Sequence, residues 1–221
     1  MLNDLSVTIY DCETGGLEPE KHAITEIALL NFDLKTFTVN WEYQTFVQEY
    51  DGLIVTDKAL SKTLVTRKDI ANGITNTELV ETLVEKFTAS RYIKNDRGNT
   101  ITAGHNVIKF DSKFLERLFR SVKNTKGLPK YNLYDYISGE IHDTLSMSKQ
   151  LWWNKEGKFN LTECSKRAGY KLVGAHSAMN DVRATFELYK YLCLRSRNAG
   201  IIKETADGKK KISQVRKYFQ F

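Results

Sequence analysis

The chain has 221 residues, 41% of them hydrophobic, and a formal net charge of +6. This length supports one good core, so we expect a single folded domain over residues 1–199, followed by a basic C-terminal tail over residues 200–221. Hydrophobic runs of about 18 residues or more, the length that a membrane-spanning helix needs, do not occur, so no membrane partner is expected.

The three cysteines and the net charge indicate the redox environment of the protein and the kind of partner that it binds. The cysteines are odd in number and lack the CxxC spacing of a metal site, so we expect no disulfide framework and a reducing, cytoplasmic environment. A moderately basic protein suits a polyanionic partner, because every phosphate that it neutralises releases counterions. Charge alone does not separate nucleic-acid-binding proteins from other basic proteins.

Three segments near the start of the chain are predicted to form strands. Residues 7–10 are apolar and lead directly into two acidic residues, residues 24–32 are β-branched and apolar, and residues 37–47 alternate aromatic with polar side chains. Their connections are short, which predicts an antiparallel meander. Residues 57–69 are polar and give no clear prediction of either helix or strand.

The rest of the chain combines a strand with several helices. The predicted elements, in chain order, are a helix over 79–87, a buried strand over 100–104, and helices over 113–122, 161–168 and 176–194. Asn160 is a good N-cap for the helix over 161–168, and Gly169 is placed to end it. Strands first, followed by alternating strands and helices, predict an α/β fold with a mixed sheet.

Two acidic residues after the first strand are candidates for binding a cation. Asp11 and Glu13 are two positions apart, so a strand directs both side chains to the same face. Two carboxylates on one face repel each other unless a cation lies between them, which makes a purely structural role costly. The following Thr14, Gly15 and Gly16 remove bulk and let backbone N–H groups approach a ligand.

Two further acids and one histidine complete a candidate hydrolytic site. Asp111 precedes a predicted helix, where capping the helix and binding a metal are equally supported roles. His176 and Asp181 can both reach one pocket if His176 lies just before a helix and Asp181 lies within it. Four carboxylates can hold two divalent cations, and an imidazole can accept a proton from water. Such a site is suited to cutting a phosphodiester bond.

Three segments together resemble the motifs of the DEDDh 3′→5′ exonucleases, a family that includes the proofreading subunit of bacterial DNA polymerase III, ribonuclease T and oligoribonuclease. Residues 11–16 match DxETGG, residues 104–115 match GHNxxxFDxxFL and residues 176–185 match HxAxxDxxAT. Residues 142–145 are similar to the family's internal DTL segment. The resemblance covers residues 7–194.

Two positions refine this resemblance. A sister group of nucleases carries a tyrosine in a YxxxD pattern, whereas this chain has Ser177 at that position, which favours the histidine subgroup. Asn72 occupies the first position of a segment that often reads HGIT in the family. The resemblance therefore does not carry a substrate contact by that histidine over to this chain, and the five catalytic residues are unaffected.

The resemblance implies an α/β, ribonuclease H-like fold with a central mixed five-stranded sheet, in which an antiparallel meander of strands 1–3 is joined by parallel strands and flanked by helices. Two divalent metal ions, Mg²⁺ or its substitute Mn²⁺, would be bound by Asp11, Glu13, Asp111 and Asp181, and the general base would be His176. The implied substrate-binding residues are Thr14, Gly15, Leu17, Asn106 and Phe110. For Asn106 and Phe110 the alternative roles, a turn amide and a core aromatic, are equally supported. Asp143 would be a structural acid near the site.

The expected activity is that of a metal-dependent 3′→5′ exonuclease, which releases nucleoside 5′-monophosphates from nucleic acid with a free 3′ end and slightly prefers single-stranded DNA. The alternatives are RNA trimming, degradation of short oligonucleotides, and a non-enzymatic nucleic-acid-binding subunit. All five catalytic positions carry the required residue types, which argues against the last. Residues 214–219 faintly resemble clamp-binding peptides, so a polymerase or a sliding clamp in DNA replication or repair is a candidate partner. A homodimer is another, since some relatives dimerise.

Overall fold

The computed structural model describes residues 5–90, 99–172, 174 and 177–197, together with the backbone of residues 200–204 and 210–214. His176, the predicted general base, lies outside these ranges, as do residues 215–219 of the predicted clamp-binding peptide. The predictions that rest on those residues stay predictions.

Five strands form one mixed sheet at the centre of the fold. They are β1 (Ser6–Thr14), β2 (Ile24–Asp33), β3 (Val39–Phe46), β4 (Thr100–Gly104) and β5 (Ile137–Asp143), and their order across the sheet is β3-β2-β1-β4-β5. Antiparallel pairing joins β1 to β2 and β2 to β3, whereas β4 runs parallel to both β1 and β5. This confirms the predicted sheet and makes β1 its middle strand.

Seven α-helices are found among the described residues, and helices cover both faces of the sheet. They are α1 (Asp57–Leu60), α2 (Arg67–Ala71), α3 (Asn76–Ala89), α4 (Asp111–Ser121), α5 (Thr144–Leu151), α6 (Leu161–Arg167) and α7 (Ala178–Arg197). On one face lie α3 and α4, and on the other lies α7. As predicted, Asn160 caps α6 by accepting a hydrogen bond from the backbone N–H of Glu163 at 3.0 Å, and Gly169 follows the helix with a φ of +85°. Within the described ranges, none of the helices combines the length and the apolar character that crossing a membrane requires.

The two faces of β1 pack against different helices. Tyr10 and Cys12 belong to the core that contains α3 and α4, whereas Val7 and Ile9 belong to the core beneath α7. Because side chains alternate along a strand, Asp11 continues the row that faces α7, at the point where the row stops being apolar. The acidic end of β1 is therefore directed toward α7.

Two parts of the chain differ from the sequence-based expectation. β5 is not predicted from its sequence, because Gly139 and the polar residues around it weaken the strand pattern. The tail is expected to be a simple basic extension, yet its described part contains two antiparallel strands, β6 (Gly200–Glu204) and β7 (Lys210–Gln214). Asp207 and Gly208, which lie between these two strands in the sequence, are outside the described residues.

Candidate active site

Three of the predicted metal ligands come together where β1 meets α7. Asp11 and Glu13 project from β1, and Asp181 lies in the first turn of α7. One carboxylate oxygen from each of these residues lies within 4.8 Å of the others. Oxygen ligands on opposite sides of a Mg²⁺ ion are about 4 Å apart, so this carboxylate group fits a small divalent cation after a modest contraction.

The three carboxylates repel one another in the absence of a cation. Burial, followed by the charge of Asp181, raises the pKa of Glu13 to about 7. Burial, followed by the charge of Asp111, raises the pKa of Asp11 well above its usual range. A bound divalent cation would reverse both shifts, because it favours the ionised form of its ligands. The electrostatics of the site therefore suit a bound cation.

Asp111 lies near the carboxylate group without being a member of it. Its side chain is 5% exposed, and its Oδ1 accepts a hydrogen bond of 3.1 Å from the backbone N–H of Cys12. Burial raises the pKa of Asp111 to about 7, although this hydrogen bond favours the ionised form. Phe110 is the N-cap of α4 and no side-chain capping bond forms there, so the helix-cap role is not observed. Asp111 is instead anchored to the backbone of β1 between Asp11 and Glu13.

A fifth acid, which no sequence pattern singles out, holds the start of α7 against the sheet. Glu26 on β2 is 2% exposed and is the cross-strand partner of Glu13. Its Oε2 accepts a hydrogen bond of 3.3 Å from the backbone N–H of Ala178, the first residue of α7, and the side chain of Gln44 donates to its Oε1. The available sequence signal is a single acid within an otherwise uncharged run, residues 24–30. Glu26 therefore positions the helix that carries the third carboxylate.

A cleft of about 450 Å³ opens beside Glu13. Thr14, Leu17 and Phe110 line it, and the side chain of Leu17 is 79% exposed. Three of the predicted substrate-binding residues therefore share one cleft with a predicted metal ligand. An exposed leucine and an aromatic ring offer apolar surface on which a flat base can pack.

Gly15 shapes this cleft without presenting its own polar groups to it. Its N–H donates to the carbonyl oxygen of Ala23 at 2.8 Å, and its carbonyl oxygen accepts from the N–H and the hydroxyl of Thr56 at 3.0 and 2.8 Å. A β-carbon on Gly15 would lie 2.5 Å from the carbonyl oxygen of Ile54. The glycine is therefore required by close packing. Its own N–H is bonded to Ala23, and the role of Gly15 in substrate binding stays a prediction.

Asn106 lies in different surroundings from the other predicted substrate-binding residues. Its φ is +66°, its backbone N–H donates to Oδ1 of Asp143 at 3.0 Å, and it lines a separate cleft with Lys149 and Phe159. Asp143 also caps α5 by accepting a hydrogen bond of 2.9 Å from the backbone N–H of Leu145, which is a structural role. The geometry thus places Asn106 in a turn, and its contact with substrate stays a prediction.

Known proteins resemble this chain in sequence. A family model described as Exonuclease (RNase_T) matches residues 8–189. The DNA polymerase III subunit epsilon of Treponema pallidum is 26% identical over 193 residues, which cover 84% of this chain and 75% of that protein. The PolC-type DNA polymerase III of Staphylococcus aureus is 24% identical over 217 residues, which cover 97% of this chain but 13% of the polymerase.

Solved structures resemble the chain in fold. Exonuclease I of E. coli, in a complex with a dT13 oligonucleotide, is similar with a TM-score of 0.66 and 21% sequence identity, over 88% of this chain and 42% of that chain. Exonuclease I of Methylocaldum szegediense is similar with a TM-score of 0.63 and 21% identity, over 89% of this chain and 44% of that chain. The chain thus spans less than half the length of these two proteins. Their similarity confirms the ribonuclease H-like fold.

Proposed function

Because the chain belongs to the exonuclease family, we propose that it hydrolyses the last phosphodiester bond at the 3′ end of a nucleic acid and releases a nucleoside 5′-monophosphate. The observation that carries this proposal is the approach of the Asp11, Glu13 and Asp181 carboxylates to within 4.8 Å of one another, beside an open cleft. All three residues belong to the motifs that resemble the histidine subgroup of these nucleases.

Two divalent cations, Mg²⁺ with Mn²⁺ as a substitute, are the proposed cofactors. Asp11, Glu13 and Asp181 would hold one ion, Asp11 would also reach the second, and Asp111 would help to place it directly or through water. These ligands are all hard carboxylates, the donors that both ions prefer. When bound, such a pair of ions activates water and stabilises the departing oxygen.

Side chains and backbone groups of the protein would accept the proton and hold the terminal nucleotide. His176 accepts the proton of the attacking water, since imidazole changes its charge near neutral pH. Leu17 and Phe110 pack against the terminal base, and the backbone of Thr14 holds the 3′ hydroxyl. The three hydrogen bonds of Gly15 hold the loop between Thr14 and Leu17, so the terminal nucleotide meets a surface that is already organised.

Single-stranded DNA is the preferred substrate in this proposal. Two observations on similar proteins support it: exonuclease I of E. coli holds a dT13 oligonucleotide, and the epsilon subunit belongs to a DNA polymerase. RNA and short oligonucleotides are the competing substrates. The net charge of +6 suits any of these polyanions, so a direct assay has to separate them.

A digestion assay tests the activity and the substrate together. The protein is incubated with Mg²⁺ and with single-stranded DNA, RNA or duplex DNA of one sequence, labelled at either end, and in parallel with a dinucleotide. We expect stepwise shortening of the 5′-labelled strands, fastest for single-stranded DNA, and complete inhibition by excess EDTA. Cleavage confined to dinucleotides would replace the proposal with a small-substrate enzyme. Hydrolysis that continues unchanged in EDTA would exclude the metal-dependent mechanism.

The proposed exonuclease domain comprises residues 1–199, and the basic tail, residues 200–221, would contact a partner. A DNA polymerase or a sliding clamp, in cytoplasmic DNA replication or repair, is the proposed partner, and a homodimer is the proposed assembly. Size-exclusion chromatography of the full chain, alone and with a clamp, measures both. Clamp binding that survives deletion of residues 207–221 would exclude the tail as the binding peptide.

A further inference from the structure

The cleft beside Glu13 has a cationic wall in addition to its acidic end. Lys58 on α1 and Lys62 in the turn that follows line this cleft together with Thr14 and Leu17. The two lysines are separated by four positions, the spacing that places side chains on the same side of a helical segment. We refer to Lys58 and Lys62 as the lysine pair.

The lysine pair is not neutralised by any residue within the described ranges, although acidic side chains lie nearby. Asp57, the neighbour of Lys58, instead forms an ion pair with Arg67 at 2.7 Å. Glu18, which lines the same cleft, forms an ion pair with Lys21 at 2.6 Å. Both lysines are exposed, and neither ammonium group has an ion-pair partner in the part of the chain that the structure describes.

The segment that carries the lysine pair is attached to the loop that carries Leu17. Thr56, the N-cap of α1, donates from its N–H and its hydroxyl to the carbonyl oxygen of Gly15. The same hydroxyl accepts a hydrogen bond of 3.2 Å from the backbone N–H of Ala59. These bonds set the position of the lysine pair relative to the surface that would hold the terminal base.

We propose that the lysine pair binds backbone phosphates on the 5′ side of the scissile one, and thereby makes the enzyme select polymers over single-nucleotide esters. This inference rests on the proposed function. The last nucleotide of a 3′ end carries a hydroxyl, and the scissile phosphate belongs at the carboxylate group, so any other phosphate near the cleft lies upstream. Lysine contacts phosphate as a point charge, which positions a strand without reading its sequence. The pair also offsets the repulsion between a polyanionic strand and the carboxylate group.

Two substrates separate this inference from the proposed activity. Oligothymidylate has upstream phosphates, whereas the p-nitrophenyl ester of thymidine 5′-monophosphate has a single phosphodiester and none upstream. For the variant with Lys58→Ala and Lys62→Ala, kcat/KM for oligothymidylate should fall about tenfold relative to kcat/KM for the ester, mainly through KM. The slope of log kcat/KM against log salt concentration should become shallower by roughly 1.4, about 0.7 for each single-strand phosphate that the variant no longer neutralises.

Matched variants complete the experiment. The variant with Lys68→Ala and Lys126→Ala removes the same charge from exposed positions outside the cleft. Its slope of log kcat/KM against log salt concentration should equal that of the unaltered protein. The variant with Lys58→Arg and Lys62→Arg keeps the charge and should recover most of the slope. An unchanged slope in the Lys58→Ala, Lys62→Ala variant, or an equal decrease on both substrates, would overturn the inference and leave the exonuclease activity standing. Failure of the unaltered protein to hydrolyse either substrate would overturn the proposed function, and the inference with it.

Discussion

The carboxylate group and the lysine pair are neighbouring charged regions of one cleft, and they are built in opposite ways. The carboxylates are partly buried and crowded, so burial and mutual repulsion raise the pKa values of Asp11 and Glu13. The lysines are exposed and unpaired among the described residues, so salt screens them over about 10 Å at 0.1 M. The rate of hydrolysis, which depends on the carboxylate group, should therefore change with pH and with metal concentration. Substrate binding by the lysine pair should change with salt concentration.

Removing one carboxylate should have the largest effect and should abolish chemistry without abolishing binding. Asp11→Asn and Asp181→Asn keep the shape of the side chain, but an amide is a weaker ligand for a hard divalent cation. Each is expected to lower kcat on the order of 10³-fold or more. Initial rates of nucleotide release at saturating Mg²⁺ measure this, and fluorescence anisotropy of labelled oligothymidylate measures binding. Near-normal kcat in either variant would remove that residue from the metal site.

The general base should give the next largest effect. His176→Ala is expected to lower kcat about 10²-fold or more, because a positioned proton acceptor contributes at least that much to hydrolysis. KM should change little, since the lysine pair and the apolar cleft residues are unaltered. Imidazole added to the buffer should restore part of the rate. A decrease of only a few-fold, with no response to imidazole, would show that another group accepts the proton.

The crowding of the carboxylates should also appear as an unusual dependence of stability on pH. The pKa of Glu13 is about 7 in the folded protein against an ordinary value of 4.5, so the unfolded chain releases this proton at lower pH. The folded state of the metal-free protein should therefore lose roughly 2 kcal/mol of stability as the pH rises from about 5 to about 8. Urea denaturation in EDTA measures this loss.

Glu13→Gln sharpens this test, because it removes the titrating group while keeping its shape. The metal-free variant should show a smaller fall in stability with pH, and Mg²⁺ should stabilise it less than it stabilises the unaltered protein. If the unaltered metal-free protein instead gains stability over this pH range, the carboxylate group does not have the raised pKa values described above.

The smallest effect should come from the apolar edge of the cleft. Leu17 is 79% exposed, so Leu17→Ala should leave thermal stability nearly unchanged. The KM for oligothymidylate should rise about fivefold, which corresponds to about 1 kcal/mol less burial of apolar surface against the base. Leu64, also largely exposed and outside the cleft, provides the matched control as Leu64→Ala. Equal KM values for the two variants would show that Leu17 does not contact the substrate.

The sequence was sufficient to predict those strands and helices whose side-chain pattern lies within one short segment of the chain. Alternation along a strand placed Asp11 and Glu13 on one face, and the strand predicted over 100–104 has the observed bounds. Asp181 comes close to these two acids only in the folded protein, and this contact cannot be derived from the spacing of the residues along the chain. The family motifs supplied that part of the prediction.

The role of Glu26, which the sequence does not predict, depends on contacts between distant segments. Glu26 matters because β-sheet register sets it opposite Glu13 and because α7 begins above it, and neither fact is visible in the strand's own sequence. Asn106 lies within a motif, and in the fold it has a positive φ and lines a second cleft. Its position in the motif alone does not predict these surroundings.

Cys12 lies between two acids of β1. Its backbone N–H, and not its thiol, donates the hydrogen bond to Asp111. The side chain is 6% exposed, and burial, followed by the charge of Asp111, raises the pKa of the thiol well above its usual range. Such a thiol forms little thiolate, which is the species that oxidants and alkylating reagents attack. Iodoacetamide should therefore alkylate Cys12 slowly in the folded protein, and mass spectrometry of the alkylated chain measures this.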